Sequence, residues 1–351
     1  STRSDHNKAQ FAAGTWHRCA RSMGMTDAPT FDPLPTRHDA SGAPRRVGVE
    51  VEFGGLPEHK AAKIIGQVTG GYVKAPAPGS WEVETPCFGR CQVYLDTHFR
   101  DDVKRVADKG VAHLARLVVP VKLVTDPFDP AGLPAFDTVL GALRDAGAIG
   151  SRQGLLLGFA VHLNIEIDAP APAHLWRIVT AYALIESELR RLARVDISRR
   201  VLTLAQPYPK GLVDDLARVE PRNHDDLIET YLSYAPTPNH GLDMLPVFAQ
   251  LAPDKVHGRL TDSTKIKARP AYHFRMPDCR IDEPGWSIAE PWSMWLAVER
   301  IATSPTLFGR LRRSRAAWSD GPALQRGRWS TRVRQILDQT PAEGSARRPV
   351  P

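Results

Sequence analysis

The residues best suited to chemistry sit on three short segments that read as strands. VGVEVEF (47–53) alternates strictly, so Val47, Val49, Val51 and Phe53 face one way and Gly48, Glu50, Glu52 and Gly54 the other. Two carboxylates thus project side by side, roughly 6 to 7 Å apart, a spacing that holds two divalent cations or clamps one. Alone, the pattern fits a solvated face as well as a site; the glycines suggest a close approach by a ligand or another strand. The run ending FAVHLNIEI repeats the scheme, with Phe159, Val161, Leu163, Ile165 and Ile167 on one side and Ala160, His162, Asn164 and Glu166 on the other. A His and an Asn on such a face can meet phosphate oxygens, ligate a metal, or hydrogen-bond within a wet sheet. In TKIKARPAYHFRM an extended chain would align Lys265, Lys267, Arg269, Ala271, His273 and Arg275. A row of like charges repels unless an anion lies among them, so it asks for polyphosphate or carboxylates. Pro270 interrupts the register and leaves His273 and Arg275 as the pair sharing a face.

Together, paired carboxylates, a His/Asn pair and a basic row are the inventory of an ATP-dependent ligase. Mg²⁺ bridges phosphates there, while Arg and Lys offset the charge that builds during phosphoryl transfer. No Walker loop and no kinase-type glycine loop is present.

The elements that must position these residues are mixed. Further strands are expected at 71–75, 80–85, 90–96, 117–124 and 271–276, with 155–167 the longest, and helices at 57–68, 101–115, 134–147, 173–195, 223–233, 288–303 and 305–317. Strands come in pairs or triplets without a helical crossover after each, which predicts an α+β fold: a mainly antiparallel sheet with helices on one side. Residues 1–45 read as an irregular N-terminal extension, 46–318 as one catalytic body with a helical excursion at 170–262, and 319–351 as a basic, flexible tail.

With 351 residues, the chain can bury a large core without disulfide staples. The formal charge of +7 is concentrated toward the C-terminus, from Arg310, Arg312, Arg313 and Arg315 to Arg347 and Arg348. It describes a solvated tail rather than a groove, and nucleic acid is not the expected partner; a tail that did bind DNA would do so with strong salt dependence. Cys19, Cys87, Cys91 and Cys279 lack zinc-site spacing and read as reduced thiols. No apolar run is long enough to span a bilayer and no secretory leader is recognisable, so a soluble cytoplasmic protein is expected. Trp286, Trp292 and Trp295 read as helix packing rather than an interface.

Four ordered segments, RRVGVEVEFGGL, VVPVKLVTDPF, LLLGFAVHLNIEI and KARPAYHFRMPDCRIDEPGW, resemble the amidoligase family, carboxylate-amine ligases related to glutamine synthetase and glutamate-cysteine ligase. The resemblance spans most of residues 45–300. It implies a curved antiparallel sheet forming a funnel with helices on its outer face, binding ATP with Mg²⁺ or Mn²⁺. An acyl phosphate made there from a small-molecule or peptide carboxylate would be attacked by an amine. By position, Glu50 and Glu52 match metal-binding glutamates, and His162 matches the histidine of a metal and phosphate strand with Asn164 beside it. Arg275 matches the arginine meeting the transferred phosphate, and Arg269 or Lys267 a phosphate-binding cation.

One departure stands out: Lys122 occupies a position where the family pattern has an acidic metal ligand, and a charged Lys repels Mg²⁺. Either the ammonium takes over part of a lost metal's role, or Glu82, Glu84 or Asp96 supplies the carboxylate, or the site has decayed. His273 likewise stands where glutamine synthetase relatives carry an acid. The alternative to a ligase is a catalytically reduced nucleotide-binding or regulatory protein.

Overall fold

The computed structural model describes residues 30–96, 120–151, 158–193, 205–260, 266–321 and 328–339. Eight strands form one open, wholly antiparallel sheet: β1 (Val47–Phe53), β2 (Tyr72–Ala77), β3 (Ser80–Thr85), β4 (Gly89–Leu95), β5 (Val121–Thr125), β6 (Val161–Glu166), β7 (Leu242–Asp243) and β8 (Ala271–Phe274). Their spatial order is β2-β3-β4-β5-β1-β6-β8-β7, so β1 lies between β5 and β6. Ten helices are present among the described residues: α1 (Glu58–Thr69), α2 (Leu133–Asp145), α3 (Pro172–Ala193), α4 (Lys210–Arg218), α5 (His224–Tyr234), α6 (Leu245–Leu251), α7 (Pro253–Arg259), α8 (Ala289–Thr303), α9 (Pro305–Asp320) and α10 (Trp329–Asp338). The fold is therefore α+β with an antiparallel sheet, as the strand grouping predicts.

Alternation sorts the sheet faces as expected. Val47, Val49, Val51, Phe53, Leu123, Val161, Leu163 and Ile165 are almost wholly excluded from solvent and join one apolar core with α1, α2, α3 and α8. Tyr272 and Phe274 of β8 stack against Trp295 of α8. Trp292 and Trp295 are fully buried within the chain, which bears out helix packing for the Trp-rich segment. Gly55 turns the chain out of β1 at φ 81°; a Cβ there would meet the Gly147 carbonyl oxygen at 2.4 Å, so only glycine fits.

Several boundaries differ from the sequence reading. β1 and β3 match it, whereas β6 begins at Val161 because Ala160 bridges to Asp278 instead of extending the ladder. β8 stops at Phe274, where the Arg275 N–H turns to the Gly241 carbonyl. The expected excursion at 170–262 contains β7, which returns to the sheet beside β8. Helices α4, α6 and α7 fall within the helical excursion expected at 170–262 without having been delimited there, and α10 lies in the segment read as a tail. The last corrects the picture of a wholly flexible basic tail: Trp329, Val333, Ile336 and Leu337 are buried, and the Trp329 indole donates to the Leu184 carbonyl of α3 at 2.8 Å. Residues 30–45 are irregular, as expected, yet they are tied down: Arg45 forms a buried pair with Glu299 of α8 at 2.8 Å. The helix expected at 101–115 lies outside the described residues, as do Cys19 and Lys265. Cys87, Cys91 and Cys279 are free thiols. Among the described residues no helix is long and apolar enough to cross a membrane.

Candidate active site

The register of six neighbouring strands assembles a polar cluster opposite the core face. Glu50 pairs with His162 across β1 and β6, Glu52 with Lys122 across β1 and β5, and Lys122 with Tyr94 across β5 and β4. Asn164 pairs with His273 across β6 and β8, and His273 with Asp243 of β7. Residues far apart in sequence thus become immediate neighbours because each occupies the outward phase of its strand.

Glu50 is the hub. Its Oε1 accepts from Asn164 Nδ2 at 2.9 Å, while its Oε2 meets His162 Nδ1 at 3.2 Å and Lys122 Nζ at 2.8 Å. Burial works against its charge, but the Lys122 ammonium and the His162 contact outweigh burial and hold the carboxyl well below its ordinary range. Glu50 is ionised, and a carboxylate only accepts. Glu52 has fewer partners: its Oε2 accepts from the Ala160 N–H at 3.0 Å, and its Oε1 lies 3.7 Å from Lys122.

Lys122 also reaches Asp96 at 3.9 Å, so its ammonium stands among three carboxylates. Burial opposes the charge, and Glu50 and Glu52 more than offset it, raising the ammonium's pKa. Of the three acids considered as replacements for a missing carboxylate, Asp96 is the one in contact with Lys122. Glu82 instead pairs with Arg90 at 3.5 Å, and Glu84 with Lys74 at 4.0 Å.

The two histidines stand edge to face with ring centroids 5.0 Å apart. Burial lowers the pKa of His162 despite Glu50; burial and the neighbouring His162 hold His273 well below the ordinary value. Both rings are neutral at neutral pH. Glu50, His162 and His273 offer ligand atoms that all lie within 4.8 Å of one another. His162 Nε2 is buried with no hydrogen-bond partner. A buried ring nitrogen left unpaired beside a carboxylate and a second imidazole fits a metal ligand better than a packed core histidine.

The basic row is only partly brought to the cluster. Arg269 Nη2 donates to Asn164 Oδ1 at 2.7 Å, whereas Lys267 is exposed on a non-strand stretch outside the bonded cluster. Among the described residues the extended ladder does not form, since β8 starts only after Pro270. Arg275 lies just past β8, and its Nη1 donates to the Pro238 carbonyl at 2.6 Å. Gly48 makes no unusual approach: a Cβ there would lie 3.5 Å from Asn164 Cβ, an ordinary contact.

Asp243 is the residue that sequence reasoning missed. It is fully buried opposite His273, and burial pushes its carboxyl up to about 6, against the Leu245 N–H it accepts from and the nearby charges of Arg275 and Arg269. A two-residue strand carries no period, so the sequence held no signal for it.

A site of carboxylates, imidazoles and guanidinium groups on one face of an antiparallel sheet suits acid activation and amide formation. The family model described as "putative amidoligase enzyme" matches residues 43–297, well over half of the chain. The chain belongs to this amidoligase family. Searches of curated proteins and of solved structures return no match.

Proposed function

We propose that the protein is an ATP-dependent carboxylate-amine ligase working through an acyl phosphate within a glutamine synthetase-like funnel. The observation that carries this reading is the Glu50–His162–His273 cluster, with its unpaired His162 Nε2, inside the span matched by the amidoligase family. Glu50, His162 and His273 would hold a divalent cation, Mg²⁺ or Mn²⁺ in the family pattern, and that cation would neutralise phosphate charge. In the first step a carboxylate oxygen of the acid attacks the γ-phosphorus and the bond to ADP breaks. In the second an amine nitrogen attacks the acyl carbon, phosphate leaves with the C–O bonding pair, and the nitrogen gives up a proton.

The chain's own groups take definite parts. Arg275 and Arg269 supply positive charge where the transferred phosphoryl group gains negative charge. Asn164 holds Arg269 and His273 in place through its carboxamide oxygen. Lys122 keeps Glu50 ionised. The substrates are small-molecule or peptide carboxylates and amines. The free thiols of Cys87, Cys91 and Cys279, the cysteines among the described residues, support a reducing, cytoplasmic location.

The test is a calorimetric titration of Mg²⁺-ATP into wild type and the Glu50→Gln/Glu52→Gln double variant, followed by ADP release against pooled acids and amines. Binding lost in the variant, with turnover in one pool, is the expected result; no nucleotide binding by wild type overturns the reading. A second reading, a catalytically reduced nucleotide-binding protein, is favoured by Lys122 standing where the family pattern has an acid. It predicts nucleotide binding with no turnover in any pool.

A further inference from the structure

Two contacts of Arg275 go to one short segment of the helical excursion. Its backbone N–H donates to the Gly241 carbonyl at 2.9 Å, and its Nη1 donates to the Pro238 carbonyl at 2.6 Å. Both acceptors lie on 238–241, the stretch that runs directly into β7. The path of that stretch therefore sets where the guanidinium stands.

The segment in turn leans on α3. The Gln206 N–H donates to the Asn239 carbonyl at 2.6 Å and the Gly241 N–H to the Gln206 carbonyl at 3.3 Å, which ties 238–241 to the stretch beginning at Ala205. Side chains of α3 fix that stretch: Arg190 Nη1 donates to the Ala205 carbonyl at 2.8 Å, and Glu186 Oε2 accepts from the Tyr208 N–H at 2.8 Å. Glu186 Oε1 accepts from the Tyr182 hydroxyl at 2.9 Å and from Arg190 Nε and Nη2 at 2.9 and 2.7 Å. Tyr182, Glu186 and Arg190 are all buried. A buried ion pair whose carboxylate oxygens are both bonded holds its neighbours rigidly.

At Gly241 the segment meets these side chains directly. Gly241 is not among the glycines with positive φ, so Ala would meet no backbone strain there. Its Cβ would instead overlap the Tyr182 hydroxyl oxygen and crowd Met276 Cβ at 3.0 Å and Arg190 Nη2 at 3.2 Å. Glycine is what lets the segment lie flush against α3.

We propose that Tyr182, Glu186 and Arg190 of α3, pressed against Gly241, are positioning residues for Arg275: acting through 238–241, they fix its guanidinium where it meets the transferred phosphoryl group. The inference rests on the ligase reading for what Arg275 does, but not for what holds it. A displacement of about 1 Å caused by a change remote from the chemistry can cost about 100-fold in rate, so such a support matters as much as the charge it places.

The experiment is a kinetic double-mutant cycle on the full chain, with Gly241→Ala, Arg275→Gln and the two combined, read as kcat and KM for ATP from ADP release. Gly241→Ala should lower kcat about 10- to 100-fold with KM for ATP nearly unchanged, and should cost nothing further once Arg275 is replaced. Tyr182→Phe/Gly241→Ala removes the obstructing oxygen and should recover most of the loss. Additive losses in the cycle, or no recovery in the Tyr182→Phe background, overturn the proposal. Should Gly241→Ala fail to fold, Arg190→Lys takes its place in the cycle, since it keeps the charge and loses the fork spanning Glu186 and Ala205; the same non-additive fall in kcat is expected, and an additive one overturns the proposal. Amide hydrogen exchange supplies a readout that needs no turnover. The Arg275 N–H should exchange at least about tenfold faster in the variant while β1 amides keep their wild-type rates. Unchanged exchange at Arg275 overturns the proposal. A wild type that releases no ADP with any pool overturns the ligase reading instead, and the exchange rates then decide what holds Arg275.

Discussion

Lys122 bonds diagonally: it stands opposite Glu52 in the β1–β5 register, yet its ammonium is 2.8 Å from Glu50 and 3.7 Å from Glu52. One Glu52 oxygen accepts from the Ala160 N–H, and the Glu50 oxygen that meets Lys122 also meets His162. A single flexible ammonium thereby settles the charge of the whole face.

Removing that ammonium should destabilise the fold. Lys122→Met leaves Glu50, Glu52 and Asp96 facing one another with little solvent, a loss of about 3 kcal/mol by the cost of breaking a buried ion pair. Urea unfolding in chelator should report this drop, and added divalent cation should restore part of it. An unchanged midpoint in chelator would mean that the ammonium contributes nothing net.

Stability should fall in acid in two stages. The folded pKa values of His162 and His273 lie below the ordinary imidazole value of 6.5, so the unfolded chain binds protons first. Their contribution is complete above that value and is lost as pH falls below it, with a slope of up to about 1.4 kcal/mol per pH unit for each ring. Glu50 is depressed below its ordinary 4.5, so its contribution is present above 4.5 and disappears as pH falls further toward the folded value. Urea midpoints at a series of pH values check both limbs. Glu50→Gln should flatten the lower limb, and a wild-type midpoint that stays constant from neutral pH to 4 would contradict the upper one.

Legibility in the sequence followed the length and purity of each periodic run. Strict alternation in 47–53 located β1 to the residue and put Glu50 and Glu52 on the correct face. The same phase rule placed His162 and Asn164. What it could not supply was register: that Lys122 reaches Glu50, or that Asn164 bridges Glu50 to His273, depends on how four strands slide against one another. Arginines hid α10 in a segment whose Trp329, Val333, Ile336 and Leu337 nonetheless follow helical spacing. The basic row ends at Pro270, as the interruption of register implies, but the pairing of His273 with Arg275 on one strand face fails by one residue because β8 stops at Phe274.

The frame behind the site depends on one ion pair. Arg45 is wholly buried; it donates to both Glu299 oxygens at 3.1 and 2.8 Å and to the Glu166 carbonyl at the end of β6 at 2.8 Å. Trp295 Nε1 donates to the same carboxylate at 2.8 Å. Arg45→Met strands the Glu299 charge in the core and should cost about 3 to 5 kcal/mol in urea unfolding. Arg45→Met/Glu299→Leu should recover much of that loss, because no unpaired charge is left.

Arg269 and Arg275 should fail in different ways when changed. Arg269 touches the cluster through Asn164, so Arg269→Gln frees one lone pair on Oδ1 and loosens the orientation of His273. Its effect should fall on nucleotide and metal affinity, read as a raised KM for ATP with a smaller change in kcat. Arg275 is anchored by Pro238 at 2.6 Å and sits one residue beyond the end of β8. In the proposed ligase reaction, where it would meet the transferred phosphoryl, it gains interaction as negative charge develops, so Arg275→Gln should lower kcat by about 100-fold or more, the scale for losing a preorganised charge donor, with ATP affinity changed far less. Steady-state kinetics on whichever acid and amine support ADP release separates the two. Equal losses in KM and kcat for both variants would mean that the arginines act only as general positive charge, and that Arg275 has no special place in the chemical step.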